Sequence, residues 1–536
     1  MKADSSTPEE SADIAKPPLP NPPAGLLVVV GVLGLVFLFP VGYLVWGTIG
    51  LGGDFWGTLG SQQTLRPLRN SLLIASSVAC SCLVLGTVLA WLVARTDLVG
   101  RRIWRVILAL PLVIPSFVGA TALLSAFGRG GLVPFVPRVE GFWGAFLVLT
   151  VLSYPYVYLP VLSRLSTTLP AMEESALLLG SGHGRTILRV VLPHIRESVL
   201  AGTMLVFLYG LSDFGAVALM RYDTLTRAIF SARLFDRATS LLLGLVLAGL
   251  ALLVAGIERK SVPGQRRAPG IGRDQVCYRL GRWRLPSLVL VMMTGGVALA
   301  APLAVFLFWV IRGSSTIGVG YSGITDGLGF LVGPVLNSAL ASLVAGVVAV
   351  LVTLPVAYAV ARCRHWLSDL ASASVTSVFA LPGLVVALAL VFWAISAPGP
   401  LAAVYQTFPL LVLAYVLQFG AQSMRASQSA ISALPMGYED AALTLGVGGR
   451  RRLLRIDLPL VMPGLVAGGG LVMLSTLKEL PATLLLAPIG FQTLSTRIWN
   501  AAEDGFFAEV GITSLVLILL SGLLTWLFVM RREFRV

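Results

Sequence analysis

Predominantly apolar stretches of about 20 residues or more recur along this chain, separated by short polar segments, and their length matches the hydrocarbon core of a bilayer. Twelve such stretches are read as membrane-spanning helices: 25–47, 71–94, 103–127, 141–163, 198–219 and 238–257, then 286–311, 338–361, 370–394, 401–423, 464–486 and 508–530. Their periodicity is that of helices apolar on most faces, so the predicted class is an all-α polytopic membrane protein. Six spans fall in each half. An even number returns the chain to its starting side, which predicts two tandem parallel repeats and disfavours the inverted repeats of many secondary carriers.

The polar segments carry the same duplication. ESALLLG, Glu174 to Gly180, is followed thirteen residues later by Pro193, and DAALTLG, Asp440 to Gly446, is followed at the same spacing by Pro459. Asn70-Ser71 recurs as Asn337-Ser338, Ala94-Arg95 as Ala361-Arg362 and Pro115 as Pro382. Matches in order at an offset of about half the chain identify two fused homologous halves. The domain reading is a disordered tail over 1–24, a first repeat over 25–257, a cytoplasmic linker over 258–284 and a second repeat over 285–536. KPPLPNPP marks the tail as polar and Pro-rich, and the linker contains Pro263, Pro269 and several glycines.

Composition refines this picture. The chain is 56% hydrophobic and 12% charged, yet its net charge is +14. Placing both termini in the cytoplasm puts most of the 39 Lys and Arg residues on that side, the asymmetry that sets membrane topology and favours anionic lipid. The charge therefore does not point to nucleic acid. Cys80 and Cys82 lie two apart in one span and Cys277 and Cys363 are cytoplasmic, a pattern with no disulfide or metal message. His183, His194 and His365 also fall on the cytoplasmic side, so no histidine metal site is expected in the membrane.

Asn70-Ser71 and Asn337-Ser338 open predicted spans and are expected to be helix N-caps. Pro111, Pro115 and Pro382 are expected to bend their helices. Tyr154 and Tyr156 flank Pro155 and are expected to pack in the core. Thr224-Leu225 with Ile229, and Thr493-Leu494 with Ile498, are outward repeats that would suit a gate or a docking surface.

Uphill transport needs an energy source, and a phosphate-binding P-loop ends in Gly-Lys-Ser/Thr. The four lysines are Lys2, Lys16, Lys260 and Lys478, and none follows a glycine. No cofactor is expected on this chain; ATP and Mg would be bound by a partner. The duplicated polar loops are the natural dock, with small residues at Ser175, Ala176, Ala441 and Ala442 for close packing. Gly180 and Gly446 would end their helices in the left-handed conformation.

These loops resemble the coupling-loop motif of ABC importer permeases: Glu-Ala-Ala, three residues, Gly, nine residues, Ile-x-Leu-Pro. The copies close with VVLP and IDLP, and they depart from the pattern at Ser175, Val190 and Asp440. The resemblance implies a fused, double-length permease of the type I importer fold in a bacterial cytoplasmic (inner) membrane. It implies no enzymatic activity of its own, two copies of an ABC ATPase docked on the loops, and an extracytoplasmic substrate-binding protein. The ATPase-coupling residues are then Glu174, Ser175, Ala176, Gly180, Pro193, Asp440, Ala441, Ala442, Gly446 and Pro459.

LPLVIPSFVGA (Leu110 to Ala120), SDFGAVALMRYDTLTRAIF (Ser212 to Phe230) and LKELPATLLLAPIGFQTLSTRIW (Leu477 to Trp499) look like fused ferric-iron permeases. Thiamine, polyamine and phosphonate importers share this architecture, and an ion-coupled secondary carrier is the alternative from another class. Asp213 and Glu479 occupy equivalent positions in the fifth and eleventh spans, where charge is costly and faces a cavity or a partner. With Ser212 and Lys478 they are candidate translocation-path residues, and the two carboxylates are candidate transient oxygen ligands for a hard metal cation. The competing reading makes Asp213, Glu479 and Lys478 a structural charge network.

Overall fold

A computed structural model describes residues 22–49, 54–127, 131–167, 170–261, 277–315, 329–363, 365–435, 437–446 and 448–530. The expected tail over 1–24 and linker over 258–284 lie largely outside these residues. Among the described residues the chain is helical, with two isolated β-bridges.

Ten helices of the first half are α1 (Ala24–Ile49), α2 (Gln62–Arg95), α3 (Arg101–Val113), α4 (Ser116–Ala126), α5 (Gly141–Ser166), α6 (Pro170–Leu178), α7 (Gly184–Ser212), α8 (Gly215–Leu219), α9 (Leu225–Ala232) and α10 (Arg237–Ser261). The second half repeats them in order: α11 (Gly281–Gly313), α12 (Gly329–Arg362), α13 (Trp366–Phe379), α14 (Gly383–Ser396), α15 (Phe408–Ser432), α16 (Gly437–Thr444), α17 (Leu453–Leu477), α18 (Pro481–Leu486), α19 (Leu494–Glu503) and α20 (Phe507–Phe528). Nine of these helices are long and apolar enough to cross a membrane, and the two bent pairs α3–α4 and α13–α14 bring the number to 11. The predicted span 401–423 is not among these 11: the 25-residue α15 lies there, starting later because residues 399–404 form a 3₁₀ turn and running into the polar segment up to Ser432.

Sequence and structure differ in instructive places. The third and ninth spans turn through 91° and 104° immediately before Pro115 and Pro382, because proline disfavours helical backbone in the residue before it. The fifth and eleventh spans begin well before 198 and 464, since each polar loop winds directly into its span. A single π turn over Ile187–Val191, and again over Leu453–Asp457, accommodates the Leu-Pro that follows.

The expected helix caps at Asn70-Ser71 and Asn337-Ser338 are not caps. Both pairs lie well inside the 34-residue helices α2 and α12. Asn70 Nδ2 donates to the Asp223 carbonyl at 2.9 Å, and Ser71 Oγ accepts from the Leu225 amide at 2.8 Å. Asn337 and Ser338 treat the Gln492 carbonyl and the Leu494 amide the same way, at 3.0 and 2.8 Å. The duplicated pair thus ties the start of α9 or α19 to a long span.

The halves interlock through their first spans. In α1, a Cβ on Gly34 would lie 3.3 Å from the backbone of Ala371 in α13, so α1 packs on the opposite half at backbone distance. In return, Trp309 of α11 donates to the Ser125 carbonyl of α4 at 3.0 Å. Tyr154 is fully buried with its hydroxyl on the Leu108 carbonyl at 2.9 Å, and Tyr156 packs against Tyr209; both tyrosines anchor packing as expected.

Candidate functional site

Three regions converge on function. The first is the pair of polar loops. Gly180 and Gly446 adopt φ of +80° and +68°, the left-handed geometry expected of them. A Cβ at either would meet nothing within 4 Å, so the demand for glycine is purely conformational. A side chain there costs about 1–2 kcal/mol, and least for Asn, whose side chain tolerates this region. Gly180→Val is therefore expected to speed amide exchange around residues 176–181 by about tenfold while Gly180→Asn leaves it near wild type; equal exchange in both variants would remove the conformational argument.

Around these turns stand apolar side chains that the sequence reading passed over. Leu178 and Leu179 are each 88% exposed and Leu445 is 80% exposed, with Leu188 and Leu454 also open. Glu174, Pro193, Ala441 and Pro459 are exposed, whereas Ala442 is buried. Ser175 engages a neighbour. Ala176 is half-buried, and Asp440 lies on α16 with its side chain outside the described set. Large leucines open to solvent on otherwise polar loops mark a partner surface.

Beneath the first loop lies a buried ion pair. Arg95, the last residue of α2, meets Glu173 of α6 at 2.9 Å with both side chains fully buried. Tyr278, in the segment just before α11, donates its hydroxyl to Glu173 at 3.1 Å. Its backbone pairs with Arg95 O at 2.8 Å and Asp97 N at 3.3 Å. Burial, reinforced by the Glu173 charge, pushes the Tyr278 phenol up to about 12, so it remains a donor at physiological pH. In the second half the equivalent Arg362 binds the carbonyls of Ile431 and Leu434.

The second region is the broken ends of α7 and α17. At 29 residues α7 is about 43 Å long, enough to cross the membrane, and so delivers Asp213 to the face remote from the polar loops. Asp213 Oδ1 accepts the amides of Ala216 and Val217 at 2.9 and 3.3 Å, and Oδ2 accepts from Ser116 at the start of α4. Glu479 Oε1 accepts the amide of Ala482 at 3.1 Å. A Cβ on Gly383, the residue matching Ser116, would come within 2.8 Å of that oxygen. Each carboxylate, one residue ahead of the N-cap (Phe214 or Leu480), thus accepts first-turn amides of a short helix and faces the N-terminus of a second, where negative charge is favoured.

The two breaks adjoin, since a Cβ on Gly215 would lie 3.4 Å from the Leu480 side chain. Lys478 donates across the halves to the Leu112 carbonyl at 2.9 Å, a group freed by the bend before Pro115. Among the described residues no ion pair joins Lys478 to Asp213 or Glu479, contrary to the charge-network reading. Ser212 is the half-buried last residue of α7. Among the described residues no three His, Cys, Asp or Glu side chains gather as a metal site.

The third region was not foreseen. Phe214 packs between Phe230 and Trp499, with ring centroids 4.6 and 5.3 Å apart. Phe230 and Trp499 hold equivalent positions on α9 and α19, so this cluster joins the two halves. Thr224, Leu225, Ile229 and their counterparts Thr493, Leu494 and Ile498 are buried behind it, which makes them its support and not a docking surface. Beyond the rings opens a cavity of about 720 Å³ lined by both halves, including Arg138, Arg221, Arg227, Glu140 and Glu503. Arg221 has φ of +56°, which costs a non-glycine residue about 1–3 kcal/mol; the matching turn of the second half places Gly490 there, at +81°.

Residues 82–267 and 352–532 match the family of binding-protein-dependent transport system inner membrane components. The chain is similar to a Fe(3+)-transport system permease protein of Haemophilus influenzae, 28% identical over 94% of this chain and 97% of the relative. It is also similar to a molybdenum transport system permease protein of Mycobacterium tuberculosis, 32% identical over 37% of this chain and 80% of that protein. A sulfate transport system permease protein of Escherichia coli is 27% identical over 44% of this chain and 91% of its own length.

Proposed function

The chain belongs to the family of binding-protein-dependent transport system inner membrane components and is an ABC-type permease; from that premise we propose that it imports ferric iron, driven by two ATPase subunits docked on α6 and α16. The observation that carries the docking is the duplicated loop geometry: a left-handed glycine beside open leucines, at the same place in both halves. What supports iron is the near full-length likeness to a Fe(3+)-transport permease, where the molybdenum and sulfate relatives match less than half of the chain. ATP and Mg belong to the partner ATPase. An extracytoplasmic binding protein delivers the cargo to the face with the cavity, and both termini lie in the cytoplasm.

In this mechanism the permease makes and breaks no covalent bond. ATPase closure moves α6 and α16, and Arg95 with Glu173 passes that movement into α2. The Phe214–Phe230–Trp499 cluster is the gate that opens in response. Asp213 and Glu479 hold the broken helix ends that frame the path; direct transient contact with the metal is the competing role for the same residues.

Burying a leucine contributes about 1.5–3 kcal/mol to a contact, and burying a carboxylate in its place is unfavourable. Leu179→Asp and Leu445→Asp are each expected to reduce the ATPase captured by the detergent-solubilised permease from two copies to one, and together to abolish capture and ATP-driven uptake of radioactive ferric iron. Two ATPase copies retained on the double variant, by native mass spectrometry, would refute this docking surface; uptake of molybdate or sulfate in preference to iron would replace the cargo and leave the docking intact.

A further inference from the structure

The cavity beyond the aromatic cluster is asymmetric in a way the duplication does not explain. Its lining carries three arginines, Arg138, Arg221 and Arg227, against two carboxylates, Glu140 and Glu503. All three arginines come from the first half. Arg221 stands 3.9 Å from Glu140 and Arg227 stands 3.7 Å from Asp223, beyond hydrogen-bonding distance, and the Arg221 side chain is 73% exposed. Among the described residues none of the three guanidinium groups makes a hydrogen bond. Two of them face a carboxylate at ion-pair distance without a direct hydrogen bond, so their planar forks keep donors open to a space large enough for a small molecule.

Arg221 carries the stronger evidence. Its backbone sits in the left-handed region that the second half assigns to Gly490, so the fold retains an arginine where the turn itself calls for glycine. Backbone strain held at one residue of a cavity wall marks a side chain kept for what it contacts. The cavity floor is Phe214 and Trp499, and Phe214 directly follows Asp213. A ligand held by these arginines waits on the gate.

We propose that this cavity is an oxyanion-binding vestibule, in which Arg221, with Arg138 and Arg227, holds the cargo by its negatively charged oxygens before the gate opens. Guanidinium groups pair with such oxygens through charge-assisted, often bidentate hydrogen bonds. The shared chemistry is the oxyanion, free in solution or serving as ligand to a metal ion; in the second case ferric iron enters as an anionic complex. Iron carried by its oxygen ligands needs no protein carboxylate at this point, consistent with Asp213 and Glu479 being engaged by backbone amides. This inference rests on the permease reading and specifies what that permease accepts.

The test uses the permease–ATPase complex in nanodiscs and phenylglyoxal, which labels exposed guanidinium groups, with labelled peptides mapped by mass spectrometry. Sulfate, molybdate and ferric citrate are the probes. Labelling of Arg138, Arg221 and Arg227 is expected to slow in their presence, while labelling of Arg102, exposed and not part of the cavity lining, does not change. Arg221→Gly, which adopts the residue of the equivalent turn and so keeps the fold, is expected to raise the half-protecting concentration at Arg138 and Arg227 by about tenfold, the loss of one charge-assisted hydrogen bond. Protection by sulfate or molybdate but not ferric citrate assigns the free oxyanion; protection by ferric citrate at the lower concentration assigns the metal-held one. Unchanged labelling with all three probes, or equal protection of wild type and Arg221→Gly, overturns the vestibule. ATPase retained in the same samples separates that failure from a failure of the permease assignment.

Discussion

Arg95→Met is expected to cost about 3–5 kcal/mol of stability, because it leaves the Glu173 carboxylate buried without its counter-charge. Both side chains are fully buried and only 2.9 Å apart, so water cannot replace the lost guanidinium without opening the joint between α2 and α6. The Tyr278 hydroxyl supplies one hydrogen bond to Glu173, which is too little to offset the missing charge. Adding Glu173→Gln removes the stranded charge, and the double variant should recover much of the loss. The measurement is reversible unfolding in mixed micelles for the wild type, both single variants and the double. A single variant as stable as wild type would show that the pair is solvated in the membrane-embedded protein. In the recovered double variant the joint is neutral, and ATP hydrolysis is expected to continue with less uptake per ATP, since α6 then moves with a weaker hold on α2.

Replacing both Asp213 and Glu479 with alanine is expected to abolish uptake, and replacing them with Asn and Gln is not. Alanine removes the carboxylate acceptors at the starts of α8 and α18, a loss of about 1 kcal/mol each by analogy with helix capping, and leaves the amides of Ala216, Val217 and Ala482 without their acceptors. Asn and Gln keep an acceptor oxygen in place while deleting the charge. Uptake within a few-fold of wild type in the Asp213→Asn, Glu479→Gln double variant, together with loss in the double alanine variant, fits caps that hold the path in shape. A folded isosteric variant with uptake reduced by two orders of magnitude would instead mean that the charges meet the cargo, the role of transient metal ligands.

The duplication was legible because it lives in spacing, and spacing survives without knowledge of any contact. The left-handed glycines were legible for a similar reason: Gly180 and Gly446 end short helices, and chain geometry alone demands their conformation. Partners distant in sequence were not legible. Ser71 reads as a helix start because an apolar run follows it, yet its hydroxyl serves an amide at position 225. Arg95 reads as one more basic residue at a span end, and Glu173 as one more charge on a polar loop, until folding places them together. Asp213 and Glu479 were recognised as equivalent carboxylates, but a sequence does not show which amide a carboxylate will accept. The three arginines of the vestibule stand at positions 138, 221 and 227, and nothing in their order along the chain shows that they share one cavity.

The exchange of first spans between halves also sets an order of events in biosynthesis. When α1 leaves the ribosome, the helix against which Gly34 will press, α13, is still more than 300 codons away. Only 22% of the most apolar window of α1 is buried even in the finished protein, so this helix can wait in lipid with little penalty. The first half therefore cannot complete its own packing when its last span is made. Its assembly ends only after translation has passed α13, more than a third of the way into the second half, and a gene split between the halves would yield two products that must find each other in the bilayer before either is fully folded.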